Sequence, residues 1–122
     1  MSRQENLQKA VNDLKSAVPD LEGILLASSD GLPIAYSLGA NLDPNRIAAM
    51  AATALGLGKR ITQSLNHGTL SEASITGGNG QMFIYSVGDK GTLAVITPTG
   101  VNIGLIHLEA RSAAKEIANL LA

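Results

Sequence analysis

The sequence predicts an α+β fold in which one five-stranded antiparallel sheet carries helices on both faces. Three observations predict it. Helical apolar periodicity recurs near both ends and in the middle of the chain, Asp30-Gly31 is a tight hairpin signal, and two continuous apolar runs occur at residues 82–85 and 93–96. Such runs are typical of strands covered on both faces. The predicted element order is α-β-β-α-β-β-β-α, and we expect residues 1–122 to form one domain.

The first predicted helix spans Arg3–Ala17. Ser2 and Glu5 have the S-x-x-E spacing of a capping box, and apolar residues follow at helical spacing. Pro19 disfavours helical backbone at the residue before it, so the helix is expected to stop there.

The strands are predicted from turn signals and alternation. The first two, Gly23–Ser28 and residues 34–38, flank the Asp30-Gly31 turn. The third, at residues 70–76, alternates polar and apolar side chains and is expected to be a half-exposed edge. The last two occupy residues 81–87 and 92–97, and a final helix capped by Asn102 follows.

A long predicted helix at residues 43–65 organises the chain. Asp43 suits its N-cap, Pro44 suits its first position, and Gly68 is expected as a left-handed residue at its end. With about 100° per residue, one apolar stripe falls on a single face and is expected to contact the core. Its members are Ile47, Met50, Ala51, Ala54, Gly58, Ile61 and Leu65.

The opposite face of this helix carries small residues where charged ones would suit water. They are Ala49, Ala52, Thr53 and Gly56. Gly56 and Gly58 each cost roughly 1 kcal/mol relative to Ala inside a helix, so close packing has to offset them. We infer a second helix against this face. The alternative is a solvated face built from good helix formers.

Composition limits the classes of partner. A net charge of −1 and a pI near 6 provide no electrostatic footprint for duplex nucleic acid or an anionic membrane. One Phe, two Tyr and no Trp argue against stacking platforms for single strands, and the absence of Cys removes disulfides and thiolate chemistry. No stretch resembles a membrane span or a signal peptide. We therefore expect a cytoplasmic protein that binds proteins, without nucleic acid or direct membrane insertion.

The sequence contains no evident catalytic or metal-binding constellation. His67 is expected at a helix end and His107 on a helix flank, and neither has a carboxylate at local spacing. Asp13, Asp20 and Glu22 look solvated, and no cluster has metal-ligand spacing. We expect no catalytic residues, no metal, no cofactor and no enzyme activity.

Two glycine-rich runs invite comparison with phosphate-binding loops, one at residues 56–60 and one at residues 77–80. The pattern G-x-x-x-x-G-K-[ST] would require Gly at Thr53 and Ser or Thr at Arg60. A dinucleotide-binding fingerprint would have to follow a strand and open a helix. Neither run qualifies, and the second is predicted to be a hairpin turn.

Three segments carry a family resemblance that covers essentially the whole chain. They are PDLEGILL leading into SDGLPIA at residues 19–35, the Ala-rich central helix, and Asn102-Ile103-Gly104-Leu105 at the start of the last helix. With this element order, the chain resembles the Roadblock family of dynein light chains and its bacterial and archaeal relatives. The strongest part is the hairpin DGLPIA after a hydrophobic strand.

The resemblance implies a Roadblock/longin-like fold and a homodimer in which the central helices pair and the third strands extend the sheet. It also implies binding to small Ras-like GTPases, motor complexes or scaffold subunits. The expected interface comprises Ala49, Ala52, Thr53, Gly56, Ser71, Ala73 and Ile75. Four further helix residues either contact an acidic partner or form a solvated rim. They are Arg46, Lys59, Arg60 and Gln63.

Three functions follow as hypotheses. The first is a non-enzymatic homodimeric module that binds a small Ras-like GTPase and regulates its nucleotide state or localisation. The second is a structural adaptor in a motor-like or signalling assembly, which binds irrespective of nucleotide. The third is a small-molecule sensor with a pocket between sheet and helices, which the aliphatic composition favours least.

Overall fold

The computed structural model describes residues Met1–Ala122 and has the predicted order of three helices and five strands. The elements are α1 (Arg3–Ala17), β1 (Gly23–Ser28), β2 (Pro33–Leu38), α2 (Pro44–Ser64), β3 (Glu72–Gly77), β4 (Gly80–Val87), β5 (Gly91–Pro98) and α3 (Ile103–Leu121). The predicted fold class is therefore confirmed. β1 has the predicted bounds, and the ends of the other strands differ from the predicted ones by at most two residues, which is the ordinary uncertainty of element ends.

All strand pairs are antiparallel, and the order across the sheet is β2-β1-β5-β4-β3. The two continuous apolar runs lie on β4 and β5, where their side chains are largely buried on both faces, as the sequence predicts. β2 and β3 form the two edges of the sheet. The third strand is an edge, as predicted, but the predicted half-exposed alternation is not seen, because its last four residues, Ile75 among them, are all exposed.

The two faces of the sheet bury very different amounts of apolar side chain. The face beneath α1 and α3 holds a cluster of 20 buried residues, to which Leu26, Ile106 and Ile117 belong. The face beneath α2 holds a cluster of only four, Leu25, Ala27, Ile47 and Ala48. Most of the core therefore lies on the α1–α3 side, and α2 is held by a thin layer.

The predicted N-terminal caps are all present. Ser2 and Glu5 form the reciprocal capping box of α1. The Asp43 carboxylate accepts from the amide of Asn45, and the Asn102 side chain accepts from the amide of Leu105. Each cap satisfies an amide that the first helical turn leaves without a partner.

The end of α2 differs from the prediction, because Asn66 and not Gly68 is the left-handed residue that closes the helix. Asn66 has φ +55°, and its amide donates to Gln63 while the His67 amide donates to Thr62. This is the Schellman pattern of hydrogen bonds around a left-handed residue, a position where Asn replaces the usual Gly. Gly68 also has a positive φ, but it lies beyond the helix.

Candidate functional site

α2 sits on the sheet with a different face from the predicted one. The structure buries Ile47, Ala48, Ala51 and Leu55. Met50, Ile61 and Leu65, predicted to contact the core, are 49%, 50% and 56% exposed. At about 100° per residue, the buried arc is rotated by about 60° from the predicted stripe. That part of the prediction is wrong, because α2 carries more apolar surface than one sheet face covers and periodicity alone does not choose between its sides.

Packing within the chain accounts for some of the small residues of α2. The β1–β2 turn approaches the helix so closely that a Cβ at Gly31 would lie 3.4 Å from Ala49 Cα and 3.5 Å from Ala52 Cβ. A Cβ at Gly58 would lie 2.8 Å from a methyl carbon of Leu70. Gly56 has no such reason, since a Cβ there would meet nothing within 4 Å. Of the two helix glycines, only Gly58 is therefore explained by the chain itself.

The side of α2 that points away from the sheet is apolar at its centre. We call this surface the outer face of α2 and define it by the exposed residues Met50, Thr53, Gly56, Leu57 and Ile61. Of the four helix residues predicted for an interface, Thr53 and Gly56 belong to this face, whereas Ala49 and Ala52 lie beside the β1–β2 turn. The large side chains Met50, Leu57 and Ile61 were not predicted for the interface. A wider search for apolar residues on both flanks of the helix would have found them.

The four predicted partner-contact residues fall into two groups. Arg46 and Arg60 are exposed on the outer side of α2, and neither has a carboxylate within 4.0 Å. Lys59 and Gln63 instead line a polar cleft of about 660 Å³ with the loop that follows α2. The structure therefore leaves only the two arginines beside the outer face.

The edge strand β3 offers an unpaired backbone. The Ser86 amide donates to the Ser71 carbonyl, so Ser71 and every second residue after it bond toward β4. Glu72, Ser74 and Thr76 therefore direct their amides and carbonyls away from the sheet. Sequence reasoning chose the other set, Ser71, Ala73 and Ile75, for this edge. Only the even-numbered residues can therefore pair their backbone groups with another strand, because the odd-numbered ones already bond to β4.

Ile75 projects from the same face of the sheet that α2 covers. It lies opposite Met82, and Met82 packs with Ile96 against the small cluster beneath α2. Ile75 is 55% exposed and is the only large apolar side chain of β3. The outer face of α2 and Ile75 are therefore apolar groups on one side of the molecule.

A polar cluster ties the start of β3 to α3. Arg111 donates to both carboxylate oxygens of Glu72, with its Nε 2.9 Å from Oε2. The Tyr85 hydroxyl lies 2.8 Å from His107 Nδ1, and that nitrogen is 3.8 Å from Glu72 Oε1. The His107 ring also packs edge-on against Phe83, with 5.1 Å between the two ring centroids. Glu109 is two positions from His107 in the sequence, but the carboxylate that the structure places beside the ring is Glu72 of β3.

The contacts of this cluster shift the pKa values of three of its members, each in the direction expected from its surroundings. The hydrogen bond from Arg111 holds the pKa of Glu72 below its usual range, although burial acts in the opposite direction. The same pair raises the pKa of Arg111. Burial raises the pKa of Tyr85 well above its usual range, so the hydroxyl stays protonated. The cluster is an anchor for the edge strand, held by a charged pair that exists at neutral pH.

Replacing Glu72 with Gln is expected to lower the melting temperature at neutral pH by a few °C. The folded pKa of Glu72 is lowered, so its contribution is full above the unfolded pKa and is lost as the pH falls through the folded value. The difference from the wild type should therefore disappear in acid. Thermal unfolding between pH 7 and pH 2 measures this difference in melting temperature. Glu22→Gln serves as the control, because Glu22 is an exposed carboxylate without an ion pair.

The other residues that the sequence singled out lie away from the outer face of α2 and the edge of β3. His67 is exposed in the loop after α2, and Asp13, Asp20 and Glu22 are exposed, as expected. Residues 77–80 form the β3–β4 hairpin turn, whereas residues 56–60 lie inside α2. No group of three or more His, Asp or Glu side chains comes together to hold a metal. None of the three helices is long and apolar enough to cross a membrane.

A five-stranded antiparallel sheet between α2 on one face and α1 and α3 on the other defines the class as a Roadblock/longin-like α+β fold. The family model of the Roadblock/LC7 domain matches residues 7–97. An uncharacterised protein of Methanocaldococcus jannaschii is 34% identical over 97 residues, which cover 80% of this chain and 84% of that protein. The chain therefore belongs to the Roadblock/LC7 family.

Two solved structures share the fold. MglB of Myxococcus xanthus superimposes with a TM-score of 0.90 at 16% identity and covers 99% of this chain and 91% of its own. A structure of MglB with a tetrameric arrangement gives a TM-score of 0.87 at 14% identity, with 98% and 90% covered. At these identities the likeness concerns the fold alone.

Proposed function

We propose that this chain forms a homodimer through the outer face of α2 and the edge of β3, and that the dimer binds a small Ras-like GTPase. It regulates the nucleotide state or the localisation of that GTPase in the cytoplasm. It acts by binding alone, without catalytic residues or a cofactor. The observation that carries the proposal is the exposed apolar surface of α2, which shares one side of the sheet with Ile75 of the free edge.

Pairing through α2 is supported by the side chains that it removes from water. Met50, Leu57 and Ile61 are each about half exposed, so burying the remainder contributes roughly half of the 1.5–3 kcal/mol that full burial of such a side chain provides. A two-fold axis through the outer face brings the same surface onto itself, so each side chain contributes twice. Gly56, which has open space above it, lets the two helix backbones approach closely.

Pairing through β3 is supported by its unpaired backbone. Glu72, Ser74 and Thr76 direct donors and acceptors outward, and an exposed edge of this kind favours association unless it is covered. A two-fold axis near Ser74 would set two copies of β3 antiparallel and join the sheets into one. The MglB structure with a tetrameric arrangement is a protein of the same fold that assembles from several copies.

Binding to a GTPase is supported by the family and by the charge beside the interface. The chain belongs to the Roadblock/LC7 family, and resemblance to this family is the reason for proposing a Ras-like partner. Arg46 and Arg60 are exposed without acidic partners and suit a negatively charged protein surface. A dimer that prefers one nucleotide state tenfold shifts that equilibrium by about 1.4 kcal/mol and by no more.

The test immobilises the chain and exposes it to lysate of the source cell, with a GTP analogue in one arm and GDP in the other. We expect a small GTPase, identified by mass spectrometry, to be retained at least about tenfold better in one arm. The purified GTPase is then loaded with each nucleotide, and its rates of hydrolysis and nucleotide release are measured with and without this chain.

Two matched variants connect this result to the structure. Leu57→Asp places a charge on the outer face of α2, whereas Leu108→Asp makes the same change on α3, where the side chain is 66% exposed. We expect light scattering to report a dimer for the wild type and Leu108→Asp and a single chain for Leu57→Asp. Equal retention with both nucleotides would replace the regulatory function by that of a structural adaptor. An unchanged dimer for Leu57→Asp would contradict pairing through α2.

A further inference from the structure

The second edge of the sheet, β2, is closed by two side chains of α1. Gln4 donates from Nε2 to the carbonyl of Ile34 at 2.7 Å, and Gln8 donates from Nε2 to the carbonyl of Tyr36 at 2.9 Å. These carbonyls are the outward ones of an edge strand, the groups to which a further strand would donate. The glutamine amides therefore occupy the position of a neighbouring strand.

The spacing of the two glutamines matches the spacing of the two carbonyls. Residues four apart on a helix are separated by about 6 Å along its axis, and residues two apart on a strand by about 6.6 Å. Successive turns of α1 can therefore reach successive outward carbonyls of β2. Asn12 accepts a second hydrogen bond from Gln8 at 3.1 Å and holds that amide in place.

α1 itself is firmly held, so the two amides are fixed in position. Its inner residues Leu7, Val11 and Leu14 are buried in the large cluster, and its first turn is fixed by the Ser2–Glu5 capping box. The folded chain therefore covers the β2 edge by itself, because both hydrogen bonds form within one chain.

β2 lacks the protection that edge strands usually carry in their own sequence. Residues 33–38 read PIAYSL and contain no charged side chain, and only Pro33 at the start interrupts pairing. Tyr36 is 44% exposed, so the strand presents apolar surface as well as backbone. Without the glutamines, such an edge would be a template for another strand.

We propose that Gln4 and Gln8 close the β2 edge against pairing with β2 of a second copy of this chain, which confines edge pairing to β3. The occupant that the closure excludes is a second copy, because an antiparallel edge is complementary to itself about a two-fold axis. A chain with two open edges would assemble into an unending sheet, whereas one open edge ends the assembly at two. That last consequence rests on the pairing through β3 proposed above.

The test measures self-association of the double variant Gln4→Ala/Gln8→Ala by sedimentation and light scattering over a range of concentrations. Both glutamines lie on the surface side of α1 and Ala is a better helix former, so the helix is expected to persist. We expect the average mass to rise above the wild-type value with concentration, with association about tenfold tighter or more.

Two further variants separate edge pairing from loosened packing. Gln4→Lys/Gln8→Lys keeps a donor for each carbonyl and adds charge, so its mass should equal that of the wild type. Tyr36→Lys, added to the double Ala variant, places a charge on the strand itself and should restore the wild-type mass. Association that persists in either variant would overturn the proposal, because it would then arise elsewhere.

The masses of the Gln4/Gln8 chain and the double Ala variant are also compared when both carry Leu57→Asp, which is expected to remove pairing through α2. In this background we expect single chains when the glutamines are present and pairs when both are Ala. If Leu57→Asp leaves the dimer intact but the Ala variant still gains mass, closure of β2 stands and pairing through α2 fails. A mass unchanged by the Ala variant in both backgrounds would overturn the closure of β2.

Discussion

Gly56→Leu is expected to leave the chain folded and to weaken its dimer by at least about thirtyfold. A Cβ at Gly56 meets nothing within 4 Å of the same chain, so branching there is sterically open, and Leu improves helix propensity by nearly 1 kcal/mol. In the proposed dimer it lies between the paired helices, where overpacking typically costs about 1–3 kcal/mol. The two-fold axis applies this cost twice, which corresponds to about 2–6 kcal/mol of association free energy.

Sedimentation equilibrium of the purified variant measures the loss. Gly56→Ala adds one methyl group and should weaken the dimer less, which makes the effect depend on size. Ser112→Leu adds similar bulk at an exposed position of α3 and should leave the dimer unchanged. A Gly56→Leu dimer as tight as the wild type would show that the outer face of α2 is not the interface.

Leu26→Ala is expected to reduce the free energy of unfolding by about 2–5 kcal/mol. Leu26 is fully buried in the 20-residue cluster beneath α1 and α3, so the substitution loses apolar contacts and leaves a cavity. Domains are commonly stable by only about 5–15 kcal/mol, so this is a large share of the total. The melting temperature should fall by about 10 °C or more.

Urea unfolding at a single protein concentration measures this change, because pairing adds to apparent stability. Leu32→Ala makes the same substitution at a side chain that is 63% exposed, and it should change stability by less than about 0.5 kcal/mol. Equal losses in the two variants would contradict the assignment of the main core to the α1–α3 side.

The comparison between sequence and structure is clearest in α2. Asp43, Pro44 and the apolar periodicity predicted its start and its length, because capping and helical spacing are local properties. Which side of the helix meets the sheet was predicted wrongly. Ala48 and Leu55 are buried while Met50 and Ile61 are exposed, since the choice depends on the β1–β2 turn and on Leu70 packing against the helix.

The surface that we propose for pairing overlaps the predicted interface only in part. The sequence indicated a helix face and the third strand, and family resemblance indicated that both serve pairing. The large apolar side chains of the outer face, Met50, Leu57 and Ile61, were placed on other sides of the helix or left out of the interface. The prediction selected small residues, whereas Met50, Leu57 and Ile61 supply most of the apolar surface of this face.

By itself, the sequence determined the element order, the N-terminal caps, the turns and the family, because each depends on residues within a few positions of one another or on a continuous pattern. Only the tertiary structure decided the rotation of α2, the Glu72–Arg111 pair beside His107, and the closure of β2 by Gln4 and Gln8. The paired residues lie 28 to 39 positions apart. Contacts across such distances form only when helices and sheet have packed, so no local pattern encodes them.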